Sequence, residues 1–281
     1  MILLDGKALA AKRKEELACK VKSLVRRPGL AVVLVGENPA SKVYVAGKRR
    51  DCDQCGFYSE EYDLPAETSQ VDLLDLIEVL NGREDIDGIL VQLPLPTAID
   101  EKEVLLAIRP DKDVDGFHPY NVGKLMTGDP QFLPCTPAGI LALLDEYHID
   151  PAGKRCLVVG RSNIVGKPVA LLLLARNGTV TIAHSQTKNL KELCLEADIL
   201  VSAVGRVGLI TGDMVREGTV VIDVAMNHNG EGKLCGDIDE ESVAVKASYL
   251  TPVPGGVGPM TRAMLMENTF LAAQQHQKSE A

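Results

Sequence analysis

Tyr44 and Lys48 stand four residues apart in a segment of helical composition, so both side chains share one helix face. A phenol and an amine on one face can meet a common ligand. The same stretch continues as Lys48-Arg49-Arg50, and taken alone it reads more simply as a basic face turned to water. Farther along, Val91-Gln92-Leu93-Pro94 sets one amide among apolar residues where a strand pattern ends, and open α/β sheets bind ligands at such carboxyl ends. Asp115 precedes Gly116, a pair that by itself marks an ordinary turn. A different chemistry is offered by the loop from Gly160 to Pro168, bounded by Gly160 and Gly166 and lying between a strand pattern and a helix pattern. Glycine lets backbone amides approach a phosphate, and the following helix N-terminus favours the negative charge. Its spacing is G-x5-G and not G-x-G-x-x-G, so a plain strand-to-helix turn explains the loop equally well in isolation.

The elements needed to position these groups alternate along the chain. Helical spacing covers residues 7–27, 38–55 and 71–80, and strand-like apolar runs cover 30–35, 57–64 and 88–93. Residues 110–137, dense in Asp, Gly and Pro, read as an irregular interdomain connection lining a cleft. Beyond a helix at 138–147 come strands at 155–159, 179–183, 199–203 and 219–223 with helices between them, and a last helix at about 261–275. The fold class expected is therefore α/β, with two α/β domains. The second is a Rossmann-like, doubly wound parallel sheet, and the C-terminal helix returns to the first.

The 281-residue length suits two cores better than one. A net charge of -9 without a basic block argues against nucleic acid as partner. No apolar run reaches the ~20 residues of a membrane span or forms a secretory leader, so a cytoplasmic protein with no membrane partner is expected. Seven scattered cysteines fit reduced thiols. Cys52 and Cys55 form a C-x-x-C that lacks a second pair, so no metal is expected. At the cofactor end, the strand closing in His184-Ser185-Gln186-Thr187 has no carboxylate to hold a ribose hydroxyl or repel a 2′-phosphate. Arg161 and Ser185 could bind that phosphate, which favours NADP over NAD. His184 reads as a satisfied strand-end residue.

Several separated motifs together resemble the bifunctional methylenetetrahydrofolate dehydrogenase/cyclohydrolase family. They are Asn38-Pro39-Ala40-Ser41 with Tyr44 and Lys48, Val91 to Pro96, Lys112 to Phe117, Pro134-Cys135-Thr136-Pro137, Gly160 to Pro168, and Pro252 to Thr261. The resemblance implies NADP-dependent oxidation of 5,10-methylenetetrahydrofolate and hydrolysis of the methenyl product to 10-formyltetrahydrofolate. It implies a tetrahydrofolate-binding catalytic domain of residues 1–117 plus the C-terminal helix of about 260–281, an NADP-binding domain of 118–259, a pterin cleft between them, and a homodimer through the nucleotide domain. By the same resemblance Lys48 is the general base, Gln92 orients it, Tyr44 lies against the folate ring and Asp115 anchors the pterin. Pro254, Gly255 and Gly256 approach substrate with their backbone, while Gly160, Arg161, Ser162, Gly166 and Ser185 hold the cofactor. The chain departs from the family pattern at Gln186, where relatives carry Arg or Lys, and at Val207 and Ala225, where they carry proline and glycine. Gln186 favours the alternative, a monofunctional NAD-dependent dehydrogenase.

Overall fold

The computed structural model describes residues 1–279 and, of these, every side chain but those of Pro39, Ala40, Val43 and Ser279. In chain order the elements are β1 (Ile2–Leu3), α1 (Gly6–Val21), β2 (Gly29–Val35), α2 (Pro39–Cys55), β3 (Tyr58–Leu64), α3 (Gln70–Gly82), β4 (Gly88–Val91), α4 (Glu101–Ala107), α5 (Pro119–Thr127) and α6 (Cys135–Glu146). There follow β5 (Arg155–Val159), α7 (Gly166–Ala175), β6 (Thr179–Ala183), α8 (Leu190–Glu196), β7 (Ile199–Ser202), β8 (Val220–Asp223), β9 (Asn227–His228), β10 (Leu234–Cys235), α9 (Glu240–Ala244), β11 (Tyr249–Leu250) and α10 (Val257–Ser279). The chain divides into two compact units. The first is Ala11–Cys135 with the chain from Arg262 onward, and the second is Met1–Ala10 with Thr136–Thr261.

In the first unit all seven residues of β2 are buried. A strand without a wet face belongs inside a sheet covered on both sides, and β2 is the middle of a parallel sheet ordered β3-β2-β4. Leu73, Ile77 and Leu80 fall on one stripe of α3 and pack with Val104 of α4 and Ile108 over Val33, Ile89 and Val91. Each such side chain contributes about 1.5–3 kcal/mol when taken out of water. Ser69 starts α3 by accepting the Asp72 amide. As expected, the C-terminal helix returns to this unit: the Asn268 amide donates to the Val114 and Leu133 carbonyls at 2.8 and 2.9 Å, and Arg13 pairs with Glu267 at 2.7 Å.

The far end of α10 is pinned by charge. His276 Nδ1 lies 2.9 Å from Asp87 Oδ1, and its Nε2 lies 3.3 Å from Asp111 Oδ2. Hydrogen bonding to Asp111 and Asp87 pushes this imidazole up to about 9. A histidine raised in the folded state stabilises it fully below the free value of 6.5, and that contribution disappears as pH rises through 9. His276→Ala is accordingly expected to cost about 2 kcal/mol at pH 6, and the wild-type advantage in thermal melts should shrink progressively toward pH 10. An equal loss at both pH values would show that the imidazolium contributes packing alone.

The second unit holds a six-stranded, wholly parallel sheet ordered β1-β11-β8-β7-β5-β6. β7 and β8 are fully buried, whereas the edge strand β6 leaves Thr179, Thr181 and Ile182 exposed. This is the doubly wound sheet expected from sequence. β9 and β10 add a short antiparallel ribbon.

Four local expectations are corrected. Residues 1–10 were expected with the first domain, yet Ile2 and Leu3 pair with Tyr249 and Leu250 in the second unit's sheet. The chain divides between 135 and 136, not between 117 and 118. Residues 110–137 are not wholly irregular, because they hold α5, capped by His118 Nδ1 and closed by Gly128 in the left-handed region. Helix α4 was not anticipated, its seven residues being too few for a period to emerge.

Candidate active site

Helix α2 carries Tyr44 and Lys48 on one face, and Lys48 is buried, with 8% of its surface exposed. The basic-face reading therefore fails for Lys48 and holds for Arg49 and Arg50, which are exposed. Strand β4 ends where Gln92 takes up the Val33 carbonyl, 2.8 Å from its own amide nitrogen, so the Gln92 side chain is set at the carboxyl end of the sheet. Its Nε2 donates to the Leu93 carbonyl at 2.7 Å, which leaves Oε1 to accept from Lys48 Nζ at 2.9 Å. Burial pulls the Lys48 amine below the ordinary lysine value, Arg262 adds to this, and Asp115, Cys135 and Cys52 oppose it. Its hydrogen-bond partner is a neutral amide, so that contact brings no opposite charge of the kind by which a carboxylate would hold the proton on.

Asp115 is placed by a loop that Asp113 organises. The buried Asp113 carboxylate accepts from the Phe117 amide at 3.1 Å, the His118 amide at 2.8 Å and Asn121 Nδ2 at 2.8 Å. Burial pushes Asp113 up to about 6. Asp115 is likewise pushed upward by burial, and the charge of Lys48 opposes that shift. Cys135 donates to the Val114 carbonyl at 3.3 Å, and burial together with the negative charge of Asp115 raises its thiol, so it is no nucleophile here. The Tyr44 phenol is raised by burial, with Arg262 opposing. Cys52 and Cys55 are buried thiols pushed up to about 12, packed near Met266 and the Lys14 carbonyl.

The remaining predicted residues lie in the second unit. At the carboxyl ends of the adjacent strands β5 and β6, the loops from Gly160 and from His184 lie side by side, joined by the bond from the Gly160 amide to the Ala183 carbonyl at 2.8 Å. Gly160 has φ +125°, and a Cβ there would fall 2.4 Å from the Ala203 carbonyl oxygen. A Cβ on Gly166 would fall 2.3 Å from the Gly160 oxygen. Backbone packing thus demands glycine at both positions and opens the N-terminus of α7 to a ligand. Ser162 Oγ accepts the Val165 and Gly166 amides at 3.2 Å, while Arg161, Ser185 and Gln186 are exposed. His184 Nδ1 accepts the Gln186 amide at 3.2 Å, a turn-closing role. With no carboxylate at the end of β6, this edge suits a 2′-phosphate. The turn through Pro254, Gly255 and Gly256 is tied to the N-terminal segment by the bond from the Lys7 amide to the Gly255 carbonyl at 2.8 Å. Val207 is exposed and Ala225 half-buried.

A family model described as tetrahydrofolate dehydrogenase/cyclohydrolase, catalytic domain, matches residues 4–115, and its NAD(P)-binding companion matches residues 134–277. The chain belongs to the tetrahydrofolate dehydrogenase/cyclohydrolase family. It is 59% identical over 275 residues to the bifunctional protein FolD of Moorella thermoacetica, covering 97% of this chain and 98% of that one. A FolD dehydrogenase/cyclohydrolase crystal structure from Campylobacter jejuni superposes with a TM-score of 0.96 at 50% identity, over 98% of this chain and 99% of that one. A Trypanosoma brucei family structure, described as complexed with NADP cofactor and inhibitor, gives 0.94 at 37% identity, over 100% and 99%.

Within this family member, sequence reasoning assigned nothing to Arg262, Asp51, Asp113 or Asp237. The Asp237 carboxylate gathers the Val204, Gly205 and Arg206 amides at 2.8, 3.3 and 2.6 Å and so shapes the loop leading to Val207. Buried aspartates of this kind have no sequence signal that separates them from loop aspartates. Arg262 directly follows the Pro252–Thr261 motif, and its place was the one available clue.

Proposed function

We propose that the chain oxidises 5,10-methylenetetrahydrofolate with NADP and hydrolyses the resulting 5,10-methenyl cation to 10-formyltetrahydrofolate. The observation that carries the hydrolytic half is the buried Lys48 amine, bonded to an amide oxygen at 2.9 Å and not to a carboxylate. An amine so placed is held toward its neutral form and takes a proton from water as the water oxygen bonds to the methenyl carbon. The carbinol proton then moves to N5 as the C–N5 bond breaks, leaving formyl on N10, and the ammonium returns its proton to solvent. Gln92 orients Lys48, Tyr44 lies along the pterin ring, and Asp115 accepts the paired donors of the pterin edge. The family resemblance assigns Pro254, Gly255 and Gly256 a backbone role toward substrate.

NADP, when bound, supplies the hydride acceptor. Gly160, Gly166 and Ser162 form the phosphate turn at α7, and Arg161 with Ser185 receive the 2′-phosphate. Arg161 supplies the charge at this edge, Gln186 being neutral. Arg161→Gln is therefore expected to lower kcat/KM with NADP about tenfold and leave that with NAD unchanged, since one charged hydrogen bond is lost. Steady-state rates with both cofactors test this. An unchanged NADP preference would place the phosphate elsewhere.

We further infer a cytoplasmic homodimer formed through the second unit. Among the described residues no helix is long and apolar enough to cross a membrane, and β6 offers an exposed sheet edge with Ile182 on it. Light scattering on the purified protein, with Ile182→Lys as the disrupting variant, decides the oligomeric state.

A further inference from the structure

In the middle of α2 stands Gly47, a residue that costs a helix interior about 1 kcal/mol relative to alanine. Its missing side chain is occupied: a Cβ on Gly47 would lie 2.1 Å from Arg262 Nη1 and 3.3 Å from Arg262 Cζ. The guanidinium of α10 therefore rests on the helix backbone beside Lys48 and one turn from Tyr44. It is held there by Asp51, whose Oδ2 lies 3.3 Å from Arg262 Nε and whose other oxygen is taken by Lys14 Nζ at 2.5 Å. Asp51 is 4% exposed, Lys14 12% and Arg262 28%, so water screens this group weakly. Two cations share one carboxylate, and the cluster keeps a net positive charge.

We propose that Arg262 is a positioning residue of the hydrolytic reaction: seated in the gap at Gly47 and fastened by Asp51 and Lys14, its guanidinium repels a proton from the Lys48 amine. The proposal rests on Lys48 being the base. Charged or ionisable groups act on Lys48 from four segments, namely Asp115 of the loop before α5, Cys135 opening α6, Cys52 of its own helix and Arg262 of α10. The first three favour the ammonium. Among these described groups Arg262 is the cation, and it works in the same sense as burial. Tyr44, on the same face, feels it too. The arrangement offsets the cost of placing Asp115, needed for the pterin, next to a base that must stay neutral.

The test measures methenyl hydrolysis against pH for the intact wild-type protein and for Arg262→Met, Arg262→Lys, Gly47→Ala and Lys48→Met, with dehydrogenase rates followed alongside. Without the cation the ammonium is better tolerated, the Lys48 value rises, and less neutral amine remains at neutral pH. Arg262→Met should lose about tenfold in kcat at pH 7 and regain the wild-type rate at alkaline pH. Arg262→Lys keeps the charge and should keep the profile. Gly47→Ala leaves every charge in place, favours the helix and displaces only the tip of the guanidinium, so its acid limb should move the same way by a smaller amount. A loss in Arg262→Met that is equal at every pH, or an unshifted limb in Gly47→Ala, overturns the proposal. If Arg262→Met does not fold, the Gly47→Ala profile decides alone. Persistent hydrolysis in Lys48→Met would instead refute the assignment of the base, a separate outcome.

Discussion

Lys48→Met is expected to reduce methenyl hydrolysis by about 10²–10⁴-fold, the usual worth of a positioned general base. The substitution keeps the unbranched shape of the side chain and removes a charge whose burial is unfavourable, so the first unit should remain folded. Hydride departure from the methylene carbon requires no protein base, and the dehydrogenase rate should therefore fall by much less, within about tenfold. Decay of the methenyl absorbance in the presence of the purified variant measures the first rate, and formation of reduced cofactor measures the second. Hydrolysis at the wild-type rate would remove Lys48 from the reaction. Equal loss of both rates would assign it to substrate binding.

Gly160→Ala should produce the converse separation. Its backbone sits at φ +125°, where L side chains are strained, and the added methyl would meet the Ala203 carbonyl oxygen at 2.4 Å. Neither atom belongs to a flexible side chain, so the turn itself must move, at a cost of about 2–4 kcal/mol. Moving the turn displaces the amides at the start of α7. The KM for NADP is expected to rise at least about tenfold, while hydrolysis by the first unit persists at temperatures where the protein stays folded. Cofactor titration and a thermal melt read the two effects apart. An unaltered KM for NADP would mean that the cofactor does not use this loop.

Much of the arrangement is legible in residue order because its causes are local. The i, i+4 spacing of Tyr44 and Lys48, the short, mostly apolar and wholly buried strands β2, β4, β7 and β8, and the glycine pair around Ser162 each express a rule acting within a few residues. The contact between Lys48 and Gln92 is less local, yet it follows once a strand end and a helix face are known to meet at the carboxyl edge of a parallel sheet. What escaped depends on partners far apart in the chain. Arg262 gains its place through Asp51, Lys14 and the gap at Gly47, none of which signals the others in sequence. Asp113 and Asp237 look like ordinary loop residues until the amides they collect are known. The pairing of Ile2 and Leu3 with Tyr249 and Leu250 rests on two residues, too few to display any alternation.

That last pairing and the docking of Asn268 onto the Val114 and Leu133 carbonyls govern how the molecule can be assembled. Neither half can be finished from its own stretch of chain. During synthesis the first half waits for the final helix, and the edge of the other sheet waits for Tyr249 before the opening residues find their seat. Loop closure over so many residues slows both events, and severing the polypeptide near residue 135 would leave each fragment without a piece carried by the other.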